Sequence, residues 1–191
     1  MGYAALLIID MQNDFVLEGK PYRVAGASAV IPKIQSVLAG FRQRNLPVFH
    51  IVRVHRKDGS DVEIIRRDRF KQVPFAVEGS EGAAVIDELK PLEREYIVKK
   101  IRMIAFIGTG LDLTLRSLGV TTLVVCGIQT PNCIRTTVFD GIAYNYPVVL
   151  ISDATGAASD EIHRANVFDM QNIGVRIVNA ADVDGLLASL T

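Results

Sequence analysis

Short apolar runs alternate along this chain with longer segments whose apolar residues recur every three or four positions, and that alternation leaves few folds open. Ala4 to Ile9 is apolar without interruption, which suits a strand covered on both faces of a parallel sheet. Pro47 to Val54, Glu95 to Lys99, Thr122 to Cys126, Pro147 to Ser152 and Val175 to Val178 read as further strands. From Ser28, the positions Ile31, Ile34, Val37, Leu38 and Phe41 mark one face of a helix, with Pro32 in its first turn and Asn45 as its stop. A short helix is expected around Ala83 to Leu89. Thr109 reads as the N-cap of a helix carrying Leu111, Leu115 and Leu118 and closed by Gly119. Ile134, Val138 and Ile142 mark a helix reaching about Asn145, and Asp160 to Gln171 and Ala181 to Leu190 mark two more. Strands joined through helices by short connections form right-handed βαβ units, so the expected fold is α/β, a three-layer αβα arrangement around a doubly wound, six-stranded parallel sheet. Met11 to Gly26 reads as a long loop over the end of the first strand. The charge-rich stretch Arg56 to Gly82 is the least regular part of the chain.

The chain has 191 residues, 49% of them apolar, which is enough for one sizeable core, and a single domain over 1–191 is expected. Lys plus Arg and Asp plus Glu number 21 each, so there is no basic field of the kind that holds nucleic acid or an anionic membrane. The expected partner is a small-molecule substrate. Ala4 to Ile9 lacks a basic preceding region and is cut short by Asp10, which argues against a signal peptide or a membrane span. A cytoplasmic protein is therefore expected. Cys126 and Cys133 are the only cysteines, too few for a disulfide framework.

Cys133 follows the fourth strand through a tight turn, in the stretch Val124 to Thr137, and is expected in the first turn of a helix. Unpaired N–H groups and the partial positive charge there should lower a thiol's pKa toward the reactive thiolate. In doubly wound sheets ligands bind beyond the carboxyl ends of the strands. Asp10 ends strand one and Lys100 ends strand three, so an acid, a cation and a thiol are candidates for one cleft. Asp10 would take the thiol's proton, and Lys100 would keep that acid ionised. The plainer alternatives are a packing thiol at Cys133, a loop-capping carboxylate at Asp10, and a solvated Lys99-Lys100-Arg102 run. Asp153, at the end of strand five, reads as structural.

The runs Leu6-Leu7-Ile8-Ile9-Asp10-Met11-Gln12-Asn13-Asp14-Phe15, Lys100 with Ala105-Phe106 and Gly108-Thr109-Gly110-Leu111, Gly127-Ile128-Gln129-Thr130-Pro131-Asn132-Cys133, and Ser152-Asp153-Ala154 resemble the isochorismatase-like cysteine hydrolases. The resemblance implies the sheet order 3-2-1-4-5-6 and a catalytic triad of Asp10, Lys100 and Cys133. Lys100 is preferred to Lys99 by its spacing to Ala105-Phe106. In that order strand three lies two strand spacings, about 10 Å, from strand one, so Lys100 has to reach across. The resemblance also implies a cis peptide between Ile128 and Gln129, with the N–H groups of Gln129 and Cys133 as an oxyanion hole. A free Cys133 N–H requires Asn132 rather than Thr130 as the effective helix cap, a choice left open by the sequence. Homo-oligomerisation is the family's habit.

Two departures narrow the chemistry. Nicotinamidases of this superfamily carry an Asp-x-His metal motif after strand two, where this chain reads Arg53-Val54-His55. Isochorismatases proper lack the nucleophilic cysteine. The expected reaction is hydrolysis of a C–N bond in a small amide, carbamoyl or ureido substrate through a covalent acyl-enzyme, with no metal or organic cofactor. A non-catalytic module of the same fold and a nicotinamidase-like amidase are the alternatives. Phe15 and Gln129 are expected to line the pocket, with His55 and Arg53 as further substrate contacts. Arg53, Arg56, Arg66 and Arg67 are read first as a solvated face or a subunit contact and second as carboxylate ligands. His50 is read as a satisfied core histidine and His163 as a helix residue with no evident partner. Iodoacetamide is expected to label Cys133 ahead of Cys126, and Asp10→Asn to slow that labelling.

Overall fold

The computed structural model describes residues 3–190; Met1, Gly2 and Thr191, the ends of the expected domain, lie outside the described residues. Strands β1 (Ala4–Ile9), β2 (Val48–Arg53), β3 (Tyr96–Lys100), β4 (Thr122–Ile128), β5 (Val148–Gly156) and β6 (Arg176–Val178) form one six-stranded sheet in the order β3-β2-β1-β4-β5-β6. Each pairing is parallel. The helices are α1 (Asn13–Val16), α2 (Ala27–Gln43), α3 (Arg67–Gln72), α4 (Leu111–Ser117), α5 (Arg135–Ala143), α6 (Asp160–Asn172) and α7 (Val183–Leu190).

Strand alternation sorts the core into two halves. Leu6, Ile8, Val124 and Cys126 point to the face covered by Ile34, Leu38 and Phe41 of α2 and Val183, Leu186 and Leu187 of α7. Leu7, Ile9, Phe49 and Val125 point to the opposite face, against Leu115 of α4, Val138 of α5 and Met170 of α6. With both faces covered, β1 is apolar at every position and β4 is so after Thr122, which is why they read as uninterrupted runs. Each such aliphatic side chain taken from water contributes about 1.5–3 kcal/mol. Among the described residues no helix is long and apolar enough to cross a membrane.

Several element bounds differ from the sequence reading. α2 begins at Ala27, so Pro32 lies in its second turn; the carbonyl this leaves without an intrahelical donor is that of exposed Ser28, which can use water. α1 interrupts the expected loop, and the expected helix at Ala83 to Leu89 is instead a pair of single 3₁₀ turns, Glu81–Ala83 and Asp87–Leu89. β3 includes Lys100, and β5 runs on to Gly156. From Val125 to Gly127, β4 advances two residues while β5 advances from Leu150 to Thr155. The extra residues bulge out, and Asp153 within the bulge accepts a hydrogen bond from the Ala180 N–H at 2.7 Å, a structural role.

Candidate active site

The carboxyl ends of β1, β2, β3 and β4 converge on one narrow cavity, about 410 Å³ of empty volume including its open mouth. Its polar lining is Asp10, Arg53, Arg66, Gln129, Asn132 and Cys133. Phe15, Val24, Phe75, Met103 and Ile128 supply the apolar walls.

Asp10 is presented by a left-handed turn of the backbone, φ 54°, immediately after β1. Its N–H still donates to Ile51 O of β2 at 2.9 Å, so the turn begins from a fixed point. On the other side of β1, Gly127 of β4 pairs with Ile9, and a Cβ at Gly127 would stand 2.2 Å from Ile9 O. Only a glycine, here at φ 112°, lets β4 come this close to the base of Asp10.

Lys100 crosses the gap raised by the sheet order. Its Nζ donates to Asp10 Oδ2 at 2.9 Å and to the carbonyls of Arg102 and Met103, each at 3.2 Å. Three acceptors match the three protons of an ammonium, and the side chain is fully buried. Lys99, the neighbour, pairs with Glu78 in solvent. Asp10 Oδ1, by contrast, is buried and accepts no hydrogen bond. The acid is thus held by one oxygen and open at the other.

Cys133 does not open an α-helix as expected. Thr130–Ile134 forms a single π-helical turn, and α5 starts only at Arg135. The peptide between Ile128 and Gln129 is cis, and Gln129 O accepts from both Asn132 N–H and Ile134 N–H at 3.1 Å. Neither sequence candidate caps the turn. Thr130 Oγ1 donates instead to Gly156 O at 3.0 Å and meets His163 Nδ1 at 2.9 Å, which supplies the partner that His163 lacked in the sequence reading.

Burial pushes the Cys133 thiol up, and the Asp10 carboxylate adds to that push; Lys100 and Arg53 pull it part of the way back. This corrects the expectation of a preformed thiolate: desolvation and the Asp10 charge outweigh Lys100 and Arg53, so the thiol needs a base. Cys126, inside β4 and register partner of Ile8, is raised as well, by burial alone. Both cysteines are unpaired.

Arg53 ends β2 and is 2% exposed. Gln12, a residue the sequence reading passed over, fixes its backbone from both sides: Arg53 N–H donates to Gln12 Oε1, and Gln12 Nε2 donates to Arg53 O, each at 2.7 Å. Arg53 Nη1 donates to Glu63 Oε1 at 3.0 Å, whereas Nη2 is buried without a partner. Burial works against the Arg53 charge, but Asp10, Glu63 and the ionised form of Cys133 outweigh it. His55 does not reach the cavity. It is fully buried between Phe70 and Phe75, with Nδ1 3.3 Å from Asp61 Oδ1, because the chain leaves β2 after Arg53 and bridges to Val77. Arg56 pairs with Asp58 in solvent, and Arg67 donates to the carbonyls of Val62 and Ser60; neither lines the cavity. Phe75 and Met103 were not legible as lining, since loops far apart in sequence bring them in. Among the described residues no group of three His, Cys, Asp or Glu side chains is placed to hold a metal ion, and a guanidinium at position 53 repels one.

A family model described as the isochorismatase domain matches residues 4–182. A probable inactive nicotinamidase of Arabidopsis thaliana is 47% identical over 176 residues, 90% of each chain. The crystal structure of an isochorismatase family protein from Desulfovibrio vulgaris superposes with a TM-score of 0.95 at 42% identity, covering 98% of this chain and 100% of that one. N-carbamoylsarcosine amidase from Thermoplasma acidophilum superposes with a TM-score of 0.80 at 27% identity, over 93% of this chain and 96% of that one.

Proposed function

Because the chain belongs to the isochorismatase family over nearly its whole length, we propose that it is a cysteine-dependent amidase, hydrolysing a small amide, carbamoyl or ureido compound through a thioester at Cys133. The observation that carries this reading is the state of Asp10, with Oδ2 held by Lys100 and Oδ1 unpartnered in the cavity that Cys133 lines. Substrate binding brings the carbonyl carbon to Sγ. As the S–C bond forms, the thiol proton passes to Asp10, and the carbonyl electrons move onto oxygen, where the N–H groups of Gln129 and Cys133 stabilise them. Collapse of the tetrahedral intermediate breaks the C–N bond, and the leaving nitrogen takes the proton from Asp10. Asp10 then deprotonates a water that attacks the thioester, which releases the acid and restores the thiol. Lys100 holds Oδ2 and so fixes which oxygen of Asp10 is free to exchange the proton. No metal enters the scheme: Arg53 stands where nicotinamidases carry an acidic ligand, and His55 is turned away.

The Arabidopsis relative's description as a probable inactive nicotinamidase favours a second reading, a module of this fold without turnover. An ammonia-release screen over primary amides, carbamoyl and ureido acids separates the two, with Cys133→Ser as the control. Turnover that disappears in the control supports the amidase; ammonia from none of the compounds, or an equally active control, sinks it.

A further inference from the structure

Resting on the amidase reading, we propose that the substrate is an anion, a small amide or ureide whose carboxylate is held by Arg53, with Arg66 as the second contact at the mouth. Arg53 is the least expected side chain in the cavity. Its guanidinium is 2% exposed, its backbone is fixed by Gln12, and Nη2 lies buried with no acceptor although Nη1 is committed to Glu63. A guanidinium presents a planar fork of donors, so an unpartnered Nη2 beside a cavity is a donor waiting for an oxygen, and a carboxylate is the group that fits it best.

The surroundings carry the same sign. Arg66 lines the cavity over the Phe75 ring, 5.3 Å from its centroid; it makes no direct ion pair among the described residues, although its charge helps to hold down the Glu63 carboxyl. An outer pocket shares Arg66, Phe75 and Gln129 with the inner one and adds Arg23 and Arg69. Arg69 lies over the Tyr22 ring, and among the described residues only Arg23 of these three makes a direct ion pair, with Glu18. Among the residues lining both pockets the one carboxylate is Asp10, which Lys100 neutralises. An anion entering therefore meets cations at the mouth and at the floor, whereas a neutral amide offers the buried donor only an uncharged, weaker acceptor.

The test does not depend on turnover. Iodoacetate and iodoacetamide are nearly the same size and differ in charge, and both alkylate Cys133. With rates normalised to glutathione, wild type should prefer iodoacetate by about 10-fold or more. Arg53→Lys keeps the charge but loses the fork, and Arg66→Gln lies at the mouth where folding is not at risk. Each should cut that preference by about 3-fold or more. Where ammonia is released, succinamate should be preferred to succinamide by about 50-fold or more in kcat/KM, with Arg53→Lys acting mainly on KM. No preference for iodoacetate in wild type overturns the proposal, whether or not any amide is hydrolysed. Equal slowing of both reagents by Arg53→Lys, with Arg66→Gln unchanged, assigns Arg53 to the Glu63 ion pair alone and also overturns it. An Arg53-dependent preference in a protein that hydrolyses no amide upholds the anion site and rejects the amidase.

Discussion

Lys100 Nζ lies 2.9 Å from Asp10 Oδ2 although β2 separates the strands that lead to them. The reach is possible because Lys100 closes β3 opposite Arg53 at the very end of β2, and Asp10 turns back over Ile51. The backbone past β3 then folds onto the ammonium through the Arg102 and Met103 carbonyls. Structure and chemistry therefore draw on the same buried pair, and they can be separated.

Lys100→Met leaves the Asp10 carboxylate buried without its cation and should destabilise the protein by about 3–5 kcal/mol. Adding Asp10→Asn removes the stranded charge and should restore most of that loss, because a buried pair replaced as a whole costs little. Neither protein should turn over substrate. Urea midpoints for the single and double variants check the cycle; a double variant no more stable than Lys100→Met would mean the two charges are not coupled.

The thiol's environment reverses one expectation. Read from sequence, Asp10→Asn should slow capture of Cys133 by iodoacetamide. In the structure Asp10 is one of the influences that hold the thiol above its ordinary 9.0, and Lys100 and Arg53 oppose it. A raised pKa means less thiolate at neutral pH, so wild-type labelling should keep climbing beyond pH 9.0. Asp10→Asn takes away an upward push and frees Lys100 to act on sulfur, which moves the midpoint down. Labelling at pH 7.5 should rise by about 3-fold or more, while ammonia release falls by about 100-fold or more for want of a proton carrier. A pH–labelling curve unchanged by Asp10→Asn would separate the two residues chemically.

Away from the site, Glu95 sets an acid limit on stability. Its side chain is 3% exposed and burial pushes it up, but hydrogen bonds from Arg42, the Leu92 N–H and His50 prevail and hold it at about 2. A carboxylate depressed from 4.5 stabilises fully above that value and loses its contribution as pH falls toward about 2. His50, lowered from 6.5 chiefly by burial, works in the next window: protonating it favours the unfolded chain, so stability declines as pH falls below 6.5. Glu95→Gln should cost about 2 kcal/mol at pH 7, a figure discounted for the partly exposed Arg42, and should flatten the midpoint curve between pH 4.5 and about 2. Parallel curves for variant and wild type would remove Glu95 from the account.

How much of this was legible beforehand follows from what each residue depends on. Asp10 and Cys133 stand beside apolar runs and turns, so local pattern found them. Lys100 stands at a strand end like the other two, but the sheet order and the preference for it over Lys99 rest on the likeness of spaced motifs, since nothing local says that a lysine reaches over a strand. Arg53 showed in the sequence as a departure, but its free Nη2 depends on Gln12 and Glu63, which arrive from other segments. His55 was misplaced for the same reason: strand alternation would set it beside Arg53, but the chain leaves the sheet first and the Phe70–Phe75 cluster takes the ring. The thiol's pKa is set by burial and by Asp10, which arrives from another strand, and neither is visible in the residues around Cys133.

Gly127 joins the fold to the chemistry most closely. It sits at φ 112°, and an added Cβ would meet Ile9 O at 2.2 Å and Ile9 N at 2.6 Å, backbone atoms that cannot swing aside. Gly127→Ala must therefore either push β1 and β4 apart or shift Ile9, and Ile9 carries Asp10. The variant should lose about 3 kcal/mol or more, from strain at positive φ and from the clash together. In the fraction that stays folded, Asp10 should be displaced from Lys100 and Cys133, so kcat falls while the protein still unfolds cooperatively. Gly110→Ala is the control: it lies at negative φ before α4 with nothing within 4 Å of its would-be Cβ, and it should change stability by about 0.5 kcal/mol or less. If Gly127→Ala behaves like Gly110→Ala in urea midpoint and in ammonia release, the close approach of β4 to Ile9 is not what holds Asp10 in place.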